Sequence, residues 1–285
     1  MEVVQRRELP CQPDCLAMSL CGDLYLSFYE LEDAGEQRKK GGFLVVGAEG
    51  RERECRVDAG VLDFKLKTEE RVVSCCSDGS LRVHSAELLR EEGKLGVFSA
   101  STTYLSVLND TVSVTSSSGH LAICDLNSLS ILRTVQISPY ESWFTQATPS
   151  GIYASAGTSI AFLPTASEEV LTIPTTHQAE ICSLEVDSWT LRTGDYSGEV
   201  RTMDLRTRTC VSSIKLCTSG IWRFAQWGEW LAAACMQSGL LLHCPSQSIW
   251  DHGQTLVYGL LLSPPYLYSC SFYDRLLCQF RLPSA

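Results

Sequence analysis

The residues of this 285-residue chain whose types suit chemistry stand in a few short strings. Arg223 lies between Trp222 and Phe224 in GIWRF, and Asp195 and Tyr196 lie in TGDYSG. THQAEIC carries His177 and Glu180, YESWF carries Glu141 and Trp143, LVYG carries Tyr258, and CSFYD carries Tyr273 and Asp274. A guanidinium in an apolar string must be paired if it is buried. Arg223 is therefore either half of a salt bridge to a neighbouring structural unit or a holder of a carboxylate. His177 reads either as a solvated loop histidine or as a base. Asp195 and Asp274 fall in turn strings, where an aspartate commonly bonds the local backbone; alternatively these carboxylates and tyrosines converge on one ligand. Trp143, Trp222 and Tyr258 read either as packing aromatics or as ligand-facing groups.

Common catalytic motifs are missing. There is no G-x-S-x-G elbow, since GDYSG at 194–198 has its serine in the wrong place, and neither a P-loop nor a GxGxxG spacing occurs. The formal charge of −10, from 23 Lys+Arg against 33 Asp+Glu with no dense basic run, argues against nucleic acid and for a protein partner. Fourteen cysteines fall mostly in apolar segments, where a thiol acts as a small hydrophobe. They form no CxxC pair and the five histidines form no HxxxH, so no metal and no cofactor are expected. The beginning of the sequence lacks the shape of a signal peptide, and no apolar run approaches the ~18–20 residues of a membrane span. The expectation is a cytoplasmic monomer in a reducing compartment, with no membrane contact.

What positions these strings is a repeat. SCCSDGSLRVHS, VTSSSGHLAICD, ASAGTSIAFLP, TGDYSGEVRTMD, ACMQSGLLLHC and CSFYDRLLCQF superpose on the turn residues Gly79, Gly119, Gly157, Gly198, Gly239 and Arg275, spaced by 40, 38, 41, 41 and 36. Glycine at such a turn supplies the positive φ of a tight hairpin. A β-rich run stands before and after each turn, with a further strand upstream (GVLDFKL, TYLSVL, SWFTQA, ICSLEV, IWRFAQW, LVYGLLL) and a weaker one downstream. Four strands in ~40 residues without helical periodicity predict a propeller blade. CLAMSL, LYLSFYEL, FLVVGAE and ECRVDA supply a first blade, its hairpin enlarged by a charged insert at 33–42. The fold expected is all-β: a single-domain, seven-bladed, WD-repeat-like β-propeller over 1–285. The last blade lacks a fourth strand, which residues 1–10 are expected to supply, closing the ring and protecting its edges. The Trp-Asp signature itself is eroded, only Asp125 and Asp204 surviving at the expected places.

GIWRF, LAAACMQSG, LVYG and CSFYD together resemble the C-terminal half of the WD-repeat diphthine methyl ester hydrolases of diphthamide biosynthesis. The resemblance extends more loosely upstream through GVLDFKL, ESWF and HQAEICSLEV, and only the last ~65 residues carry the specific strings. It implies hydrolysis of the methyl ester of methylated diphthine on elongation factor 2, before amidation, with elongation factor 2 as protein substrate. Such a hydrolysis needs an activated water or nucleophile and donors for the oxyanion, and the substrate's quaternary ammonium favours aromatic faces. Carried onto this sequence, that gives Arg223 the acyl oxygen, Asp195, Glu141 or His177 the base, and Trp222, Tyr258 and Trp143 the cation, with Tyr273 and Asp274 also facing substrate. Ser138 stands where a histidine would be expected in this family, three residues before Glu141. The alternative function is a non-catalytic WD-repeat scaffold for protein–protein interaction, because a fold by itself does not imply catalysis.

Overall fold

A computed structural model describes residues 2–30, 40–244, 246–252 and 255–282. Its 28 strands form seven four-stranded antiparallel sheets, each built from strands consecutive in the chain except the last. The first strands of blades 1 to 7 are Pro13–Met18, Val61–Thr68, Thr102–Leu108, Thr145–Thr148, Ile181–Asp187, Ile221–Trp227 and Val257–Ser263. These inner strands also carry contacts between successive blades and so wall the centre of the ring. Among the described residues no helix is long and apolar enough to cross a membrane.

The turns follow the repeat. Gly79, Gly119, Gly157, Gly198 and Gly239 have φ between 64° and 89°, and Arg275 takes the same left-handed position at φ 54°. At Gly79 the constraint is also steric, because a Cβ would stand 2.1 Å from the Phe98 carbonyl oxygen. Blade 7 takes its fourth strand from Glu2–Glu8, which pairs antiparallel with Leu276–Arg281 from Glu2 opposite Arg281 to Glu8 opposite Leu276. Leu9, 2% exposed, then anchors the strand, its amide donating to the Arg275 carbonyl at 2.7 Å. Asp125 and Asp204, the remnants of the Trp-Asp signature, accept from the backbone amides of Ser128 and Arg206 and cap the turns that follow their strands.

Two expectations need correction. The insert anticipated at 33–42 ends earlier, because Lys40 already begins the strand Lys40–Val46; residues 33–39 lie outside the described residues. In blade 4 the string SWFTQA is only partly a strand. Ser155 Oγ accepts from the amides of Trp143 (2.9 Å) and Phe144 (3.1 Å), and Ser142 Oγ donates to the Ser155 carbonyl (2.7 Å). Side-chain hydrogen bonds thus replace the first ladder steps, and the inner strand shrinks to Thr145–Thr148.

The core is divided between blades. Phe43 and Val45 of blade 1 pack with Phe64 and Val72 of blade 2, and Trp230, Leu240 and Leu242 of blade 6 with Leu267, Cys278 and Phe280 of blade 7. All fourteen cysteines are free and eleven are buried, which agrees with their use as core residues.

Candidate functional site

The inner strands share an irregularity that decides where their side chains point. Pairing shifts between Ile221 and Arg223, between Val257 and Gly259, between Val61 and Asp63, and between Thr102 and Tyr104. In a regular strand, neighbours such as Trp222 and Arg223 face opposite ways. A bulge places two residues opposite one and re-aims the side chain. Trp222 and Tyr258 are the extra residues of their bulges, and Arg223 resumes the ladder opposite Ala234.

Arg223 enters a closed polar knot that links blades 1, 2, 3, 6 and 7. Its Nη2 donates to Asp63 Oδ1 (3.0 Å), its Nη1 to the Tyr104 hydroxyl (3.1 Å) and its Nε to the Tyr258 carbonyl (3.1 Å). Asp63 Oδ1 also accepts from Cys15 Sγ (3.0 Å), and Oδ2 accepts from Lys65 Nζ (2.8 Å) and the Leu105 amide (3.3 Å). Lys65 and Arg223 lie 4.3 and 5.1 Å from the centroid of the Tyr104 ring, which stacks on Phe144 at 3.6 Å. Burial alone would raise the Asp63 carboxyl, but Lys65 and Arg223 outweigh it and hold it below its ordinary value. Burial pushes the Cys15 thiol up to about 12, so it stays protonated. The salt bridge expected for Arg223 exists, but its partner is in blade 2, across the ring, rather than in an adjacent blade.

Above this knot the expected aromatic residues meet. Trp143 and Trp222 have ring centroids 5.3 Å apart, Trp222 and Tyr258 5.3 Å, and Tyr258 and Phe272 5.6 Å, all tilted or edge-on. Tyr196 extends the row from Trp143 at 6.2 Å, and Tyr29 packs on Phe272 at 4.7 Å. Trp143, Tyr196, Trp222 and Tyr258 are each half-buried, so part of every ring is open. The Trp143 Nε1 is buried without a hydrogen-bond partner among the described residues. Burial, and then the neighbouring Glu180, raise the Glu141 carboxyl above its ordinary value. The charges of Glu141 and Glu180 both reach the Tyr196 hydroxyl. A half-open row of aromatic rings beside two carboxylates is an environment that attracts a bulky cation.

His177 and Asp195 are brought to each other rather than to Arg223. His177 Nδ1 pairs with Asp195 Oδ2 and Nε2 with Thr193 Oγ1, both at 2.8 Å, and the two side chains are 0% and 1% exposed. Asp195 Oδ1 accepts from the Ser197 amide (2.9 Å), the Ser197 hydroxyl (2.7 Å) and the Glu199 amide (3.0 Å). Burial raises this carboxyl, but His177 and these donors more than offset it and hold it low. His177 is buried with both imidazole nitrogens engaged, which corrects the reading of it as a solvated loop histidine: this pair locks the blade 5 turn. Tyr273 (64% exposed) and Asp274 sit in the blade 7 turn, where Tyr273 stands edge-on to Phe272 at 5.2 Å and its charge reaches Tyr29 and Tyr258.

No protein-family model matches the sequence, and no curated protein matches it. Among solved structures, a chain of the crystal structure of the Mitotic Checkpoint Complex superposes with a TM-score of 0.84 at 15% identity, covering 99% of this chain and 95% of that chain. What the two share is the seven-bladed propeller. The residues that sequence reasoning missed are Asp63, Lys65, Tyr104 and Cys15. GVLDFKL held the signal, since a carboxylate inside an apolar inner strand demands a buried cation, but nothing local to that string names Arg223 as the cation.

Proposed function

We propose that this protein is a carboxylic ester hydrolase that removes the methyl ester from methylated diphthine on elongation factor 2. The observation that carries this reading is the row Trp143–Trp222–Tyr258 beside Glu141 and Glu180, which suits the trimethylammonium group of that substrate. Arg223 follows Trp222 directly in the chain, and with Lys65 it supplies positive charge for a developing oxyanion. Glu141, exposed and with a raised carboxyl, is the candidate base with an open lone pair. The test is to incubate the purified protein with methyl-esterified elongation factor 2 and follow, by mass spectrometry, replacement of the methyl group by a proton. Activity that falls at least about tenfold in Trp222→Ala and Glu141→Gln supports the reading. An intact ester after prolonged incubation refutes it.

A second reading is favoured by the full engagement of Asp63 and His177 by their neighbours: a non-catalytic propeller that binds partner proteins on its aromatic mouth. The propeller neighbour comes from a multiprotein assembly, which suits this reading. Stable capture of esterified elongation factor 2 without turnover, lost in Trp222→Ala, would select it.

A further inference from the structure

We infer that Cys217 and Cys235 form a thiol pair that a hydroperoxide oxidises to a disulfide, a modification site where the chain passes from blade 5 to blade 6. Cys217 lies in the connection between the outer strand Thr209–Lys215 of blade 5 and the inner strand Ile221–Trp227 of blade 6. Cys235 ends the second strand of blade 6, Trp230–Cys235, and both thiols are free. Backbone and side chains hold the two segments face to face. The Met236 amide donates to the Gly220 carbonyl at 2.8 Å, the Gln237 amide to Ser219 Oγ at 3.2 Å, and the Ser219 and Ser238 hydroxyls bond each other at 2.9 Å. Both cysteines belong to one apolar cluster with Ile221, Leu231 and Ala233, and within it the Cys235 thiol donates a hydrogen bond to the Cys217 sulfur.

The two thiols differ in access and in state. Cys217 is 8% exposed and, with Ser219, Gln237 and Ser238, lines a cavity of about 670 Å³ that Trp250 flanks, whereas Cys235 is fully buried. The hydrogen bond from Cys235 draws the Cys217 thiol below its ordinary value; burial opposes it, and hydrogen bonds from Ser219 and the Lys215 charge assist. When protonated, the Cys217 thiol has an acceptor in the Ser219 carbonyl at 3.0 Å. The bond to Cys217, and then burial, push the Cys235 thiol up. A thiolate that a small oxidant can reach, beside a protonated second thiol, is the arrangement of redox-sensing cysteines. Cys182, whose charge also reaches this pair, is committed elsewhere: its Sγ donates to the Ile221 carbonyl at 3.1 Å, and burial raises it.

The Cys217 thiolate attacks one peroxide oxygen. An S–O bond forms, the O–O bond breaks, the sulfur is oxidised to the sulfenic acid, and the reduced peroxide leaves as hydroxide or alkoxide, which takes a proton from solvent. The Cys235 sulfur then attacks the Cys217 sulfur: the S–S bond forms, the S–O bond breaks, and the departing hydroxide takes the Cys235 proton to leave as water. The bridge closes the chain from Cys217 to Cys235, a segment that carries Trp222 and Arg223. That segment is packed against the aromatic row, since a Cβ on Gly220 would stand 3.1 Å from the Tyr196 ring.

The experiment treats the full, reduced chain with hydrogen peroxide, blocks the remaining thiols with iodoacetamide and maps disulfides by mass spectrometry of a non-reducing tryptic digest. The expected product joins the peptides 216–223 and 224–275, with fragmentation placing the bond at Cys235 rather than at Cys244 or Cys270. At pH 7 the free Cys217 thiol should be lost at least about tenfold faster than that of exposed Cys210, because an ordinary thiol is only a few per cent thiolate there. In Cys235→Ala, checked for fold by circular dichroism, the bridge should disappear and dimedone should trap a sulfenic acid on Cys217. Cys217→Ser, a change at the cavity wall rather than in the fully buried core, should lose both products. No bridge in the unmodified protein, or oxidation spread evenly over Cys21, Cys210 and Cys217, overturns the pair.

Discussion

Replacing Asp63 by Asn tests whether the knot across the ring stabilises the fold or merely fills its centre. Asp63 is 0% exposed and accepts four hydrogen bonds, from Arg223, Lys65, Cys15 and the Leu105 amide. Asparagine keeps one acceptor oxygen and turns a donor towards other donors, while two cations lose their counter-charge. Breaking a buried pair from one side costs about 3–5 kcal/mol. The Lys65 side chain is 32% exposed and partly screened by water, so the lower end, about 3 kcal/mol, is the expected cost. For a domain of this size that corresponds to a Tm lower by about 6–12 °C. Differential scanning fluorimetry and urea denaturation read it directly. Asp63→Asn with Arg223→Gln removes the unpaired guanidinium, so the double variant should be more stable than the sum of the two single losses, by about 1–3 kcal/mol. The cost should also depend on pH. A carboxyl held below its ordinary value contributes stability above about pH 4 and loses it as pH falls through the lower folded value. A Tm change below about 2 °C in Asp63→Asn, or strict additivity in the double variant, would sink the reasoning.

Two further outcomes follow from the same geometry. His84, 1% exposed against the edge of Phe43, is pulled by burial from 6.5 to about 4. As pH falls below 6.5 the unfolded chain takes up a proton that the folded chain refuses until about pH 4, so stability drops by about 3 kcal/mol across that window; urea midpoints at pH 7 and 4.5 should show it, and His84→Phe should flatten it. Removal of residues 2–9 uncovers the edge of Leu276–Arg281 and gives up the buried Leu9. Size-exclusion chromatography should then show self-association through the open edge, reversed by the peptide spanning residues 2–9, and a monomer with unchanged Tm would contradict the closing role.

The blades were legible because their marks are local. A turn that needs positive φ asks for glycine wherever it occurs, so five glycines and Arg275 reveal the period even where the Trp-Asp signature has worn away. The string SWFTQA misled because its alternation fits a strand, while Ser155, which captures the Trp143 and Phe144 amides, is a partner that no local pattern reveals. His177 and Asp195 were legible as chemically capable residues, but their pairing depends on the loop before blade 5 folding against its turn.

By itself, then, the sequence determined the seven-fold repeat, the turn positions, the closing N-terminal strand and the identity of the aromatic residues at the mouths of the inner strands. The repeat and its turns follow from backbone chemistry within ~40 residues, and the closing strand from the count of strands, which leaves the last blade one short. Only the tertiary structure decided that Arg223 meets Asp63, 160 residues away, and that inner-strand bulges bring Trp222 to Trp143 and Tyr258 to Trp222. The physical reason is ring closure. Which blades face each other, and which neighbours in a strand share a side, depend on the shape of the whole ring and on bulges that no local period encodes.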